Sequence, residues 1–174
     1  MRRRDDRRVL ALYPTTRGFG FALFDAKERL IDWGVTGIRE SEKNGPTLRA
    51  IENLVDRLEP TTIVYEDTRS IDSRRHARIR VLLHELYARA NLRRIKVYRF
   101  TRSTIRHYFG IRTKRELAVM IASAFPELAP RLPPKRKPWM SEDARQSLFD
   151  AVALGIVCCA ALDCGPDGNP HLPT

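Results

Sequence analysis

Short apolar runs alternate along the chain with longer segments in which apolar residues recur every three or four positions. The short runs predict strands at Val9–Tyr13, Gly18–Phe24, Leu30–Ile38, Thr62–Glu66 and Ile95–Phe100. Only tight turns separate the first three runs, so we expect an antiparallel meander. The last two runs follow helical segments and are expected to join the sheet as parallel strands.

The longer segments predict helices. These helices run from Asn44 to Leu58, from the Asp72–Ser73 cap to about Asn91, over Arg102–Phe109, over Thr113–Ala124, and from Ser141 to about Leu162. Five prolines at 126–138 predict a loop without regular structure. The last helix is apolar on all sides from Ala151 onward, which indicates that it packs deep in the fold. The predicted fold class is α/β, with a five-stranded mixed sheet and helices on both of its faces.

The length of 174 residues fits one domain, and 43% hydrophobic residues are typical of a globular protein. We place the domain at 8–163, between a basic, flexible N-terminus at 1–7 and a disordered tail at 164–174. The N-terminus lacks the apolar stretch of a signal peptide, and we expect no membrane span, so a cytoplasmic location is predicted. The three cysteines show no metal-ligand spacing and are interpreted as core or helix-end thiols.

Positive charge is concentrated in the middle of the chain. Residues 1–68 hold 12 Lys and Arg against 12 Asp and Glu, residues 69–137 hold 19 against four, and residues 138–174 hold one against five. A surface that is merely soluble usually mixes both signs. Because the cations fall on several predicted elements, the pattern favours binding to nucleic acid over binding to a membrane.

Two carboxylates stand where buried elements end or begin. Glu66 ends a buried strand, at the sheet edge where parallel strands bind ligands, and Asp150 precedes the apolar part of the last helix. A carboxylate in such a place is costly unless it is paired or binds a cation. Asp143 lies seven residues before Asp150, so one helical face is expected to carry both acids and Ser147. A purely structural role explains Asp143 as well, because a negative charge near the N-terminus of a helix offsets the helix dipole.

Four stretches of the chain, in order, resemble RuvC-type Holliday-junction resolvases of the RNase H superfamily, over about residues 8–162. They are LYPTTRGFG, the strand IVYE, the basic segment from Lys96 to Leu128, and SLFDAVA. The resemblance implies an RNase H-like fold and an endonuclease whose carboxylates hold two Mg²⁺ or Mn²⁺ ions. It implies Glu66 and Asp150 as metal ligands and Lys114 as a catalytic basic residue beside the scissile phosphate, and Asp143 is a further acid within reach of that site.

The chain departs from this family at two of the four ligand positions. Tyr13 stands where the family has the Asp that bridges both ions, and Ser147 stands where the last motif has its first Asp. A neutral phenol does not replace a bridging carboxylate for a hard cation. The Tyr13 hydroxyl is instead expected to bond Glu66 or Asp150, and such a bond would satisfy a buried acid without a metal. Whether a partner protein donates a carboxylate stays open.

Residues 69–137, the basic middle of the chain, supply the predicted nucleic-acid contacts. They are Arg69, Arg74, Arg75, Arg112, Lys114, Arg115, Arg131, Lys135, Arg136 and Lys137. The resemblance implies DNA rather than RNA, and a homodimer through the helix after residue 73, although arginines crowd that helix. The family's aromatic wedge has no counterpart in residues 67–72. Tyr108 and Trp139 are candidates for stacking on bases, and packing in the core explains each of them as well.

Three functions remain open from the residues alone. The first is an active Mg²⁺-dependent, structure-selective nuclease with a rearranged site. The second is a RuvC-like domain that binds nucleic acid, DNA in particular, and has lost or impaired nuclease activity. The third is a basic RNA-binding or assembly protein on the same fold. Because loss of a bridging ligand removes stabilisation of transition-state charge, we favour the second.

Overall fold

The structure, a computed structural model, describes residues 6–69 and 74–163, without the side chains of 74–76. Its strands are β1 (Val9–Pro14), β2 (Gly18–Phe24), β3 (Leu30–Gly37), β4 (Thr62–Glu66) and β5 (Lys96–Phe100). Its helices are α1 (Asn44–Leu58), α2 (Arg74–Leu92), α3 (Arg102–Phe109), α4 (Lys114–Ala124) and α5 (Gln146–Asp163). These elements follow the predicted order along the chain, and most begin or end within two residues of the predicted positions.

The five strands form one mixed sheet in the order β3-β2-β1-β4-β5. β1 pairs antiparallel with β2, and β2 pairs antiparallel with β3. β4 runs parallel to both β1 and β5, because helices carry the chain back across the sheet before each of these two strands. The predicted fold class is therefore confirmed, including the change from an antiparallel meander to parallel strands.

Two buried clusters cover the two faces of the sheet. Consecutive β1 residues alternate between them, so that Val9 and Ala11 belong to the cluster with α5 and Leu10 and Leu12 to the cluster with α1 and α2. The helix α5 contacts β1, β2 and β4 and is buried along most of its length. By length and composition alone α5 also qualifies as a membrane span, but 78% of it is buried inside the protein, as expected for a core helix.

Two glycines allow α5 to lie directly on the sheet. A Cβ atom at Gly20 would overlap the backbone of Ser147 at the start of α5. A Cβ atom at Gly155, in the middle of the helix, would overlap the ring of Phe24 in β2. The first of these contacts determines how close the N-terminal end of α5 comes to the β1–β2 ladder.

The structure differs from the predictions at two places away from the site. Pro126–Arg131 forms a 3₁₀ helix instead of an irregular loop, because proline is well suited to the first turn of a helix. Arg7, placed in the flexible N-terminus, forms an ion pair of 2.8 Å with Asp163 at the end of α5. The rest of that terminus at 1–5, the Asp72–Ser73 cap and the tail at 164–174 lie outside the described residues.

Candidate functional site

Tyr13 and Glu66 meet at one edge of the sheet because they end neighbouring parallel strands. Leu12 of β1 lies opposite Tyr65 of β4, so the next residue of each strand is Tyr13 or Glu66. Glu66 is 8% exposed, and Tyr13 is partly buried against the cluster that contains α5. The carboxyl ends of parallel strands thus place a phenol and a carboxylate together at the edge where such sheets bind ligands.

The start of α5 reaches the same edge through Gly20. Gly20 is the partner of Tyr13 in the β1–β2 ladder, and the backbone of Ser147 lies directly over it. Ser147 is 2% exposed, and its hydroxyl donates a hydrogen bond of 2.6 Å to the Ala144 carbonyl. Asp150, one helical turn further along, is 7% exposed. The helix therefore contributes one buried carboxylate, while the Ser147 hydroxyl bonds the backbone just before it.

Lys114, the first residue of α4, places its ammonium group among these side chains. Its Nζ atom lies 2.8 Å from Glu142 Oε1 and 3.1 Å from Asp150 Oδ2. The same nitrogen donates to the Tyr13 hydroxyl at 3.4 Å and lies 5.1 Å from the centre of the Tyr13 ring. Lys114 thus forms an ion pair with Asp150, the buried acid on α5, and a cation–π contact with Tyr13.

Arg102, the first residue of α3, neutralises the other buried acid. Its guanidinium lies 3.5 Å from Glu66 Oε1 and donates to the Tyr13 hydroxyl at 3.3 Å. The placement follows from the sheet, because Phe100 is the partner of Glu66 in the parallel β4–β5 ladder. Thr101 then caps α3 through its side chain and turns the chain into the helix. The Tyr13 hydroxyl accordingly lies between two cations, each of which also pairs with a carboxylate.

Burial and these charges set the protonation of the cluster. Burial raises the pKa of Asp150 to about 6, and the nearby Lys114 ammonium only partly offsets this effect. Burial alone would lower the pKa of Lys114, but the charge of Asp150 and the hydrogen bond to Glu142 raise it above its usual value. Burial and the two carboxylates raise the pKa of Tyr13 as well. At neutral pH the cluster therefore holds a neutral phenol and a charged lysine.

A cavity of about 440 Å³ opens beside the cluster, and Asp143 lines it. The carboxylate of Asp143 is held by both sides of the Arg145 guanidinium, at 2.9 Å to Nε and 2.7 Å to the terminal nitrogen. This hydrogen bonding lowers the pKa of Asp143. Asp143 borders the same space as Glu66, but its charge is already paired.

The predicted helical face shared by Asp143, Ser147 and Asp150 is wrong. The helix α5 begins at Gln146 rather than at Ser141. Asp143 lies in the turn before it, where its side chain accepts a hydrogen bond from the backbone of Arg145 at 2.9 Å. Such a local side-chain bond competes with helical hydrogen bonding, which explains the later start of the helix.

The residues at this edge do not fit a pair of metal ions. Over residues 6–69 and 74–163, no group of three or more His, Cys, Asp or Glu side chains is arranged to hold a metal. Each predicted ligand has a cation beside it, Lys114 beside Asp150 and Arg102 beside Glu66. A hard divalent cation requires several anionic or neutral oxygens, and here ammonium and guanidinium groups stand beside them.

Apart from Lys114, which pairs with Glu142 and Asp150, the predicted nucleic-acid contacts fall into three groups. The first group is exposed to solvent, and one member, Arg136, also donates to the Met140 carbonyl; it consists of Arg112, Arg131, Lys135, Arg136 and Lys137. Arg69 forms an ion pair of 2.6 Å with Asp67, and Arg115 donates to the Pro133 carbonyl. The side chains of Arg74 and Arg75 lie outside the described residues.

Sequence reasoning missed two members of the cluster, Arg102 and Glu142. Arg102 could have been found from its position two residues after a parallel strand that neighbours the strand of Glu66. Glu142 carries no comparable signal, since it lies in an irregular segment whose path depends on the turn before α5. Of the two stacking candidates, Tyr108 packs against the core and Trp139 is 79% exposed.

Comparison with solved structures gives neighbours with one fold. The chain is similar to Thermus thermophilus RuvC in complex with a Holliday junction substrate, with a TM-score of 0.61, 15% identity, and coverage of 91% of this chain and 94% of that one. A second Thermus thermophilus RuvC structure has a TM-score of 0.60 and 16% identity, with coverage of 90% of this chain and 95% of that one. The yeast mitochondrial Holliday junction resolvase Ydc2 has a TM-score of 0.58 and 14% identity, with coverage of 87% of this chain and 76% of that one. No protein-family model and no curated protein matches the chain. From its sheet order and these neighbours, the chain has the RuvC-type, RNase H-like fold.

Proposed function

We propose that this protein binds nucleic acid, DNA in particular, on a RuvC-type fold whose nuclease site has lost its metal ions. One observation carries the proposal: both buried carboxylates of the site are already paired with side-chain cations. Lys114 lies 3.1 Å from Asp150, and Arg102 lies 3.5 Å from Glu66. The positive charge that two metals would supply is thus supplied in part by the chain itself.

The neutral Tyr13 favours the interpretation that Lys114 and Arg102 take the place of metal ions rather than lie beside them. A bridging carboxylate would add a negative charge at the point where both ions meet. The Tyr13 hydroxyl instead accepts hydrogen bonds from both Lys114 and Arg102. A Mg²⁺ ion entering this edge would have to displace two cations and would gain no third carboxylate from Tyr13.

Binding to a polyanion is supported by the cations that the site does not use. Lys135, Arg136 and Lys137 are exposed in the segment before α5, and Arg136 also lines the cavity beside the carboxylates. Arg112 and Arg131 are exposed as well. Contacts of this kind supply affinity that does not depend on sequence and that weakens with salt. Similarity in fold to a RuvC that was solved with a Holliday junction makes branched DNA the first ligand to test.

A rearranged Mg²⁺-dependent nuclease is the second candidate, and one observation favours it. Glu66 and Asp143 line the cavity, and Glu66 and Asp150 line a second, smaller pocket next to it. Three acids around two adjoining pockets resemble a metal site in composition. For this function Arg145 would have to release Asp143, and Lys114 would have to release Asp150.

Binding of labelled nucleic acids with and without chelator tests the proposal. Four-way junction, duplex and single-stranded DNA, and RNA of the same length, are titrated in EDTA and in Mg²⁺. We expect DNA to bind at least as tightly as RNA, with equal affinity in EDTA and Mg²⁺, apart from screening by the divalent ion. Binding that requires Mg²⁺ would favour the rearranged metal site, and preference for RNA would favour an RNA-binding protein.

A further inference from the structure

Trp139 stands almost free of the protein at a turn in the segment before α5. Its side chain is 79% exposed, the highest exposure of any aromatic ring among the described residues, and the adjacent Met140 is 43% exposed. Large aromatic rings usually bury most of their area, because their removal from water contributes strongly to folding. Trp139 and Met140 together therefore leave a large apolar area in water that is open to a partner.

The turn that carries Trp139 is held in place beside the cavity. The Met140 amide donates to the Lys137 carbonyl at 3.0 Å, and Arg136 donates to the Met140 carbonyl. From the other side, Arg17 in the β1–β2 turn donates to the Ser141 hydroxyl at 3.2 Å. Since Arg136 and Ser141 both line the cavity, the turn that carries the indole adjoins it.

The surroundings of the indole favour nucleic acid over protein as its partner. Lys135, Arg136 and Lys137 precede it and are exposed, and the Lys137 ammonium lies 5.5 Å from the centre of the Trp139 ring. Protein interfaces are depleted in lysine and surround their aromatic anchors with apolar contacts. An exposed ring among phosphate-binding cations is instead the arrangement that single-stranded nucleic acid uses, with bases stacked on aromatic faces.

We propose that Trp139 stacks on an unpaired base and gives this protein a preference for single-stranded or branched DNA over fully paired duplex. The inference rests on the proposed function, because it requires that the protein bind nucleic acid at all. In a continuous duplex each base face is covered by its neighbours, so the indole finds a partner only where a base is unstacked. At a junction the cations contact the backbone while the ring contacts the exposed base.

Tryptophan fluorescence tests the stacking directly. The chain has two tryptophans, so Trp33→Phe leaves Trp139 as the only indole. In this background we expect a short oligothymidylate to quench the emission, and a blunt duplex of the same length to quench it much less. Trp139→Ala is expected to weaken binding of the single strand about tenfold, as for other base-stacking residues, and to leave duplex affinity unchanged. Tyr87→Ala, which removes an exposed ring from α2, is the matched control.

Each other outcome overturns the inference in a distinguishable way. Equal losses of single-strand and duplex affinity in Trp139→Ala would show that the ring does not select unpaired bases. If Trp139→Ala left both affinities unchanged and neither ligand quenched the Trp139 emission, the ring would not contact nucleic acid, and a protein partner would be the alternative. If the wild-type chain bound none of these ligands, the proposed function would fall together with the inference.

Discussion

The ammonium nitrogen of Lys114 lies 3.1 Å from the Asp150 carboxylate and 3.4 Å from the Tyr13 hydroxyl. A lysine in this position fixes one positive charge at the point where β1, α4 and α5 meet. Because Asp150 is buried, removing Lys114 would leave its carboxylate without a compensating charge, which typically costs about 3–5 kcal/mol. The geometry thus accounts for a carboxylate kept at the head of an apolar helix without a metal ion.

Replacing Tyr13 by aspartate is expected to create weak affinity for Mg²⁺ or Mn²⁺. The new carboxylate would join Glu66 and Asp150 at one sheet edge and make the site more negative than its two cations can neutralise. Isothermal titration with Mn²⁺ measures the effect, and Tyr13→Asn, similar in size but neutral, is the control. Equal metal binding by the Asp and Asn variants would show that position 13 does not face the two acids.

The stability of the protein is expected to fall as the pH rises from 5 to 7.5. Burial raises the pKa of Asp150 to about 6, so its protonated form contributes stability at low pH that is lost as the pH rises through 6. The loss is about 1 kcal/mol and should be absent in Asp150→Asn. Urea unfolding at both pH values measures it, with the exposed Asp56→Asn as control. An Asp150→Asn variant with the wild-type pH dependence would contradict the assignment.

Exposed cations of the segment before α5 are expected to determine much of the salt dependence of binding. The double variant Lys135→Ala/Arg136→Ala removes two exposed charges near the cavity. The slope of log affinity against log salt should become shallower by about 2, because each phosphate contact contributes about 0.9. Lys27→Ala/Arg39→Ala removes two exposed charges from the electroneutral part of the chain and should leave the slope unchanged. Equal effects of both pairs would mean that binding uses overall charge and not this segment.

Because Gly20 lies against α5, a larger residue at position 20 is expected to destabilise the protein. A Cβ atom at Gly20 would overlap the backbone of Ser147, whereas a Cβ atom at Gly37 would meet nothing within 4 Å. Gly20→Ala should therefore lower the free energy of unfolding by about 1–3 kcal/mol, as overpacking does, and Gly37→Ala should be nearly neutral. Chemical denaturation of both variants measures the difference. Equal stability of the two would place the start of α5 further from the sheet.

Most of the fold could be predicted because its elements have clear periods. The strand Thr62–Glu66 and the helix Arg102–Phe109 begin and end where the sequence pattern indicated. Both are bounded by residues that interrupt their pattern, and both lie in the core or against it. The start of α5 could not be predicted in the same way, because the turn at Asp143 depends on a bond between its side chain and the backbone.

Four members of the site could be predicted from the sequence, namely Tyr13, Glu66, Lys114 and Asp150, but the pairing of their side chains could not. Glu66 and Asp150 were recognisable as carboxylates in apolar surroundings, and the sheet brings Tyr13 to Glu66 as expected. The expected bond from the Tyr13 hydroxyl to an acid is replaced by bonds from Arg102 and Lys114 to that hydroxyl. Long side chains at the first position of a helix reach several partners, so their pairing depends on tertiary structure rather than on sequence spacing.

Cleavage of labelled DNA tests the loss of the metal site most directly. Four-way junction, duplex and single-stranded DNA are incubated with wild-type protein and with Glu66→Gln, in Mg²⁺ and in Mn²⁺. We expect both proteins to bind the junction and neither to cut any substrate, because Lys114 and Arg102 stand beside the two predicted metal ligands. Cutting by the wild type that disappears in Glu66→Gln would contradict this and would establish a nuclease with a rearranged metal site.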